Sequence, residues 1–166
     1  MTPGFSRSFQ FDHEDATARF AGMLAPRLGP GDVLLLSGGL GAGKTHFARA
    51  LIQARLAAVG RVEDVPSPTF TLVQTYSDGV VELWHCDLYR LGDPDEVLEL
   101  GLDEAFETAI CLIEWPERLG DLVPGGALSL HFAMTAQRGA RVMVARAEDA
   151  RWGAVFDGLP VDFANA

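Results

Sequence analysis

Residues 33–58 set the terms for the whole chain, because three different local patterns follow one another there without a gap. Val33, Leu34, Leu35 and Leu36 form a short, wholly apolar run. A strand with one face in water alternates apolar and polar residues, so a run like this belongs to a strand covered on both faces. Gly38-Gly39-Leu40-Gly41-Ala42-Gly43 then breaks the pattern, and Thr45 to Ala58 reads as a helix. Strand, tight loop and helix in this order predict a sheet with parallel strands and helices packed on its faces.

The rest of the chain supplies neighbours for that unit. Ser8–Phe11 reads as a short strand, and Asp12-His13-Glu14-Asp15 offers acidic and capping residues for a helix over Ala16 to Leu28. Pro26 ends or kinks that helix early, and Gly29-Pro30-Gly31 stops it. Thr69–Tyr76 and Val80–Asp87 flank Ser77-Asp78-Gly79 as one hairpin, and Leu128–Met134 and Arg141–Arg146 flank Thr135 to Ala140 as a second. Asp93 to Leu100 reads as a short helix with Pro94 in its first turn, Ala109–Trp115 as another apolar strand, and Asp149 to Gly158 as a last helix. Buried parallel-type strands mixed with hairpins predict one α/β domain over residues 1–166, a sandwich with a mixed β-sheet.

Gly38 to Thr45 fits the pattern G-x-x-x-x-G-K-S/T in full, with a strand before it and a helix after it. Glycines reach backbone conformations that other residues resist, so successive N–H groups can turn inward and make an anion nest. The start of the following helix adds roughly half an elementary positive charge. Lys44 is the only lysine in the chain, against 12 arginines. A tight backbone nest suits a compact ammonium on a flexible stem better than a planar guanidinium fork. The expected ligand is a nucleotide, with Lys44 on its β- and γ-phosphates and the Thr45 hydroxyl on Mg²⁺. The fold expected is therefore a P-loop NTPase-like three-layer α/β sandwich.

A bound Mg²⁺ calls for an acidic residue at the end of a neighbouring strand. Ile110-Cys111-Leu112-Ile113-Glu114 is an apolar run closed by a carboxylate, which makes Glu114 the first candidate. Asp87 closes His85-Cys86-Asp87 in the same way and would help hold the metal or orient an attacking water. His85 shares a strand face with Asp87, since the two are two residues apart, and reads as a structural histidine. Arg90 reads as structural too. Pro66-Ser67-Pro68-Thr69-Phe70-Thr71 is either a rigid entry to a strand or a switch-like segment that brings Ser67 or Thr69 towards the metal or the γ-phosphate.

Composition narrows the classes. The net charge of −10 argues against broad, unaided binding of nucleic acid, which depends on neutralising phosphates. No apolar run approaches the roughly 18–20 residues that cross a bilayer, and charges interrupt the N-terminal segment where a signal peptide is apolar. Cys86 and Cys111 lie far apart and form no CxxC pair. A cytoplasmic protein with no membrane partner is expected. The Asn-Lys-x-Asp motif of a signalling GTPase is excluded, because the only asparagine is Asn165 and the only lysine is Lys44. A small-molecule kinase and a nucleotide-dependent interaction module stay open.

SGGLGAGKTHFAR, SPTFTLV, HCDLYRL and IEWPERL occur in that order and at short spacing. Together they resemble the TsaE family (also called YjeE) of bacterial P-loop ATPases, from about Phe9 to Arg146. The resemblance implies an accessory role in forming threonylcarbamoyladenosine at tRNA position 37. It implies ATP and Mg²⁺ as cofactors and action on a complex of TsaD and TsaB, with tRNA met only through that complex.

Carried over residue by residue, the resemblance implies that Gly39, Leu40, Gly41, Ala42, Gly43, Lys44, Thr45 and His46 bind the nucleotide. Thr45, Glu114 and Asp87 go to the metal, and Lys44, Asp87 and Glu114 are the catalytic set. Ser67 and Thr69 fall in the switch-like loop, Trp115 follows the Walker B acid, and Glu14 and Arg138 match segments near the nucleotide. The implied chemistry is phosphoryl transfer to water, with Asp87 or Glu114 orienting the water. Without an obvious arginine finger, hydrolysis is expected to be slow alone and faster with partners.

Overall fold

The computed structural model describes residues 4–68 and 71–159. The buried run becomes β2 (Val33–Ser37), and the helix after the glycine loop becomes α2 (Lys44–Ala57). Before them lie β1 (Phe5–Phe11) and α1 (Glu14–Leu24), and after them β3 (Val73–Ser77), β4 (Glu82–Asp87), α3 (Glu96–Leu100), α4 (Leu102–Thr108) and β5 (Ile110–Glu114). The described residues end in β6 (Leu128–Met134), β7 (Arg141–Ala147) and α5 (Arg151–Phe156).

The seven strands form one sheet in the order β1-β7-β6-β2-β5-β4-β3. The middle of the sheet, β6-β2-β5-β4, is parallel, and the hairpin partners β7 and β3, with β1 beyond β7, close the two sides antiparallel. The mixed sheet expected from sequence is therefore present, and the two hairpins are what make it mixed. Among the described residues, no helix is long and apolar enough to cross a membrane.

Strand periodicity divides the core into two layers. Leu34 and Leu36 of β2 and Ile110 and Leu112 of β5 face a layer with Phe20, Phe47, Leu51, Ile52, Trp152 and Phe156. Val33, Leu35, Cys111 and Ile113 face the other way, towards Val97, Leu102, Ala105 and Leu119. Phe9, Phe11 and Phe20 meet in tilted or stacked pairs 4.8–6.4 Å apart, which pins α1 over the β1 end of the sheet.

Local chemistry explains the shifted boundaries. His13 caps α1 by accepting from the Asp15 N–H, so the helix starts at Glu14 instead of Ala16. Pro26 falls in a 3₁₀ turn over Ala25–Arg27, so α1 stops at Leu24. The helix expected over Asp93 to Leu100 is shorter, and a further helix, α4, follows it. Gly101 stands between them at φ 82°, a left-handed angle that turns the chain sharply and suits glycine. The first hairpin strand is formed from Val73; Thr69 lies outside the described residues.

Candidate functional site

All the apparatus collects at the C-terminal ends of the parallel strands, where β2, β4 and β5 stop. Gly38, at φ 132°, starts the loop. A Cβ there would lie 2.3 Å from the Phe132 carbonyl oxygen, so only glycine lets the loop leave β2 past β6. Gly43, at φ 110°, is the left-handed residue that turns the loop into α2. The first N–H groups of any helix have no partner within it, and those of α2 open towards the loop. Ala42 is buried behind the loop, while Leu40, Gly41 and Gly43 line a cleft of about 580 Å³.

Lys44 is only 5% exposed. Its Nζ donates to the Gly38 carbonyl at 2.7 Å and stands 3.5 Å from the centre of the Trp115 ring. Burial pulls its pKa below the ordinary lysine value, although Glu114, Glu117 and Asp87 pull the other way. Desolvation wins because none of these carboxylates makes a direct ion pair with the ammonium. A carbonyl and an aromatic face hold the charge instead, and a cation–π contact of this desolvated kind contributes about 2 kcal/mol. Trp115 sits in the left-handed region at φ 59°, and its ring packs tilted against Tyr89 with the centroids 4.9 Å apart.

The two strand-end acids stand side by side, since Asp87 of β4 is in register with Glu114 of β5. Both are nearly buried. Thr45 Oγ1 donates to Glu114 Oε1 at 2.7 Å, and His85 Nε2 lies 2.7 Å from Glu114 Oε2. Facing an ionised carboxylate, which can only accept, the imidazole donates from Nε2. His85 is fully buried, and its Nδ1 has no partner among the described residues. Asp87 Oδ1 accepts the Tyr89 N–H at 3.1 Å.

Among the described residues, no group of three or more His, Cys, Asp or Glu side chains is arranged as a metal cage. The donor set present is a hydroxyl beside one or two carboxylates at the foot of a phosphate loop. That suits Mg²⁺, which keeps its waters and takes most of its other oxygens from phosphates.

Most of the residues expected from sequence do converge here. Lys44, Thr45, His46, Ser67, Asp87, Glu114, Trp115 and Glu14 all line the cleft. His46 Nε2 and the Glu14 carbonyl oxygen lie 3.0 Å apart, which joins the starts of α1 and α2. Arg138 is exposed and does not line the cleft; Gly139 and Arg141 do. Gly39 is exposed and Thr69 lies outside the described residues.

Sequence reasoning gave His85 and Arg90 structural roles. His85 holds Glu114, in keeping with that reading, and Arg90 lines the cleft. It passed over Arg141 altogether. The signal for His85 was its place on the face of Asp87; for Arg141 no local pattern gives one.

A phosphate loop between a buried strand and a helix, in a mixed α/β sheet with two acids beside it, defines a P-loop NTPase-like protein. A family model described as "Threonylcarbamoyl adenosine biosynthesis protein TsaE" matches residues 11–143. The TsaE protein of Rickettsia bellii is 44% identical over 111 residues, which are 67% of this chain and 75% of that protein. The TsaE protein of Bacillus subtilis is 40% identical over 117 residues, 70% of each chain. That of Treponema pallidum is 34% identical over 130 residues, 78% of this chain and 93% of its own. Among solved structures, Bacillus subtilis YdiB superposes with a TM-score of 0.74 at 29% identity, covering 91% of both chains. The chain belongs to the TsaE family.

Proposed function

We propose that this protein is a Mg²⁺-dependent ATPase of the cytoplasm that supports threonylcarbamoyladenosine formation at tRNA position 37 by acting on a TsaD–TsaB complex. The observation that carries the reading is the contact between Thr45, at the first turn of α2, and the buried Glu114 carboxylate, beside a lysine already inside the loop. The amides from Gly39 to Thr45 receive the phosphates. Lys44 leaves the Gly38 carbonyl and the Trp115 ring for the β- and γ-oxygens. Thr45 and Glu114, with Asp87 beside them, are the residues that would hold Mg²⁺. When bound, the metal supplies charge neutralisation on the phosphate oxygens. Asp87 or Glu114 orients the attacking water, and once the phosphates are bound the loop dipoles and charges lower the barrier without further movement.

Partner stimulation fits the rim of the cleft. Leu40 is 72% exposed, Met134 58% and Tyr89 45%, and a partner laid over them would exclude water and strengthen each charge inside. The chain's net charge of −10 fits a protein that reaches tRNA through partners.

The test is a tRNA modification assay with TsaD and TsaB, with and without this chain and ATP. Phosphate release should be slow for the chain alone and should rise in the complex, and multiple turnovers should need both. Equal hydrolysis with and without partners would remove the stimulation. Transfer of labelled γ-phosphate to a metabolite would replace the reading with that of a small-molecule kinase.

A further inference from the structure

Arg141 is the first residue of β7, in register with Phe11 on one side and Met134 on the other. Its side chain reaches back to the phosphate loop. Nε donates to the Ala42 carbonyl at 3.1 Å and Nη2 to the Gly41 carbonyl at 3.1 Å, while Nη1 donates to the Ala140 carbonyl at 3.0 Å. In a chain with 23 acidic residues it pairs with no carboxylate among the described residues. Its charge is spent entirely on backbone oxygens, two of them in the loop.

The consequence follows from the planarity of the peptide bond. In a trans peptide the C=O and N–H point in opposite directions. Holding the Gly41 oxygen towards Arg141 turns the Ala42 N–H away from it, and that N–H bonds across the loop to the Gly39 oxygen at 3.2 Å. The side away from Arg141 is therefore the interior of the loop. Holding the Ala42 oxygen in the same way turns the Gly43 N–H inward, to where an anion nest needs its donors. If either plane flipped, a carbonyl oxygen would face the phosphate. A loop with four glycines has little stiffness of its own against such a flip.

We propose that Arg141 is the positioning residue of the phosphate loop: its guanidinium fork fixes the Gly41–Ala42 and Ala42–Gly43 peptide planes so that the nest is formed before the ligand arrives. This rests on the nucleotide-binding reading above. A lysine keeps the charge but cannot hold two carbonyls with one rigid plane, so geometry and charge are separable.

The experiment uses the full chain with Arg141→Lys and Arg141→Gln. It measures affinity for a fluorescent ADP without metal, competition by inorganic pyrophosphate, and the unfolding midpoint. Arg141→Lys should unfold near the wild-type midpoint yet bind both ligands about tenfold more weakly, as expected for losing hydrogen bonds that preorganise a site. Arg141→Gln should lose at least as much. In ¹⁵N spectra of the unliganded variants, the Gly43 and Lys44 amide signals should move or broaden. Unchanged affinity in Arg141→Lys, with those signals in place, overturns the inference and leaves the nucleotide reading standing. No binding of ADP or pyrophosphate by the wild-type chain overturns both.

Discussion

His85 Nε2 lies 2.7 Å from Glu114 Oε2 in the interior of the sheet, and this contact decides what Glu114 can do. A buried contact between ionisable groups is poor evidence of stabilisation, because desolvation offsets most of its attraction. The Nδ1, without a partner among the described residues, is a further cost, on the order of 1 kcal/mol or more. What the pair does supply is placement. With one oxygen gripped by His85, the other is aimed at Thr45.

His85→Leu should therefore leave the carboxylate without its donor, destabilise the chain by about 3 kcal/mol, and raise the Mg²⁺ concentration needed for turnover. His85→Gln keeps a donor near the Nε2 position and should recover much of the Mg²⁺ dependence. Titrating Mg²⁺ against phosphate release in the TsaD–TsaB complex, beside metal-free ADP affinity, is the check. An equal shift in both variants would make His85 a packing residue only.

Lys44 and the acids should separate binding from turnover. Lys44→Ala removes the ammonium held inside the loop and should cost most of the phosphate affinity, about 100-fold. Glu114→Ala and Asp87→Ala should bind ADP within a few-fold of wild type and lose turnover by about 100-fold. Parallel equilibrium and single-turnover measurements distinguish the two patterns. If both acid variants hydrolyse ATP normally, the site assignment fails. If a variant that binds but does not hydrolyse supports many rounds of modification, the protein is a nucleotide-dependent interaction module.

The Gly38 position offers a backbone test. A Cβ there meets the Phe132 carbonyl oxygen at 2.3 Å, and backbone has no rotamer by which to yield. Gly38→Ala should lower stability by at least about 2 kcal/mol and disturb the loop, whereas Gly39→Ala meets nothing within 4 Å and should fold normally. Urea unfolding of the pair reads the difference.

What could be read from sequence was whatever is local in the chain. The β2–loop–α2 unit, the strand ending in Glu114 and the two hairpins each show their period and punctuation within about a dozen residues. α4 escaped notice because Gly101 splits a short apolar stretch into two helices of five and seven residues, too brief to show a 3.6-residue period. The role of His85 depends on the register between β4 and β5, and that of Arg141 on a reach of about 100 residues back to Gly41 and Ala42. Arg138, which family resemblance places near the nucleotide, is exposed in the turn between β6 and β7, and Arg141, three positions on, donates to the loop carbonyls.

Asp78 gives a prediction about pH. Its carboxylate accepts the Val80 and Val81 N–H groups at 2.9 Å each and the Arg55 guanidinium at 2.7 Å, and so ties the β3–β4 turn to α2. Burial alone would push its pKa up, but these donors outweigh it and hold the group at about 2. A pKa depressed on folding means that the native state favours the ionised form. The resulting stability is present above the unfolded value near 3.8 and is lost as pH falls towards 2. Asp78→Asn should therefore be less stable than wild type at pH 7 by about 1–2 kcal/mol, with the gap closing between about pH 4 and pH 2. Urea unfolding of both proteins at pH 7, 5, 3 and 2 measures it. A gap that stays constant across that range would mean that the aspartate's charge contributes nothing and that its role is confined to the shape of the turn.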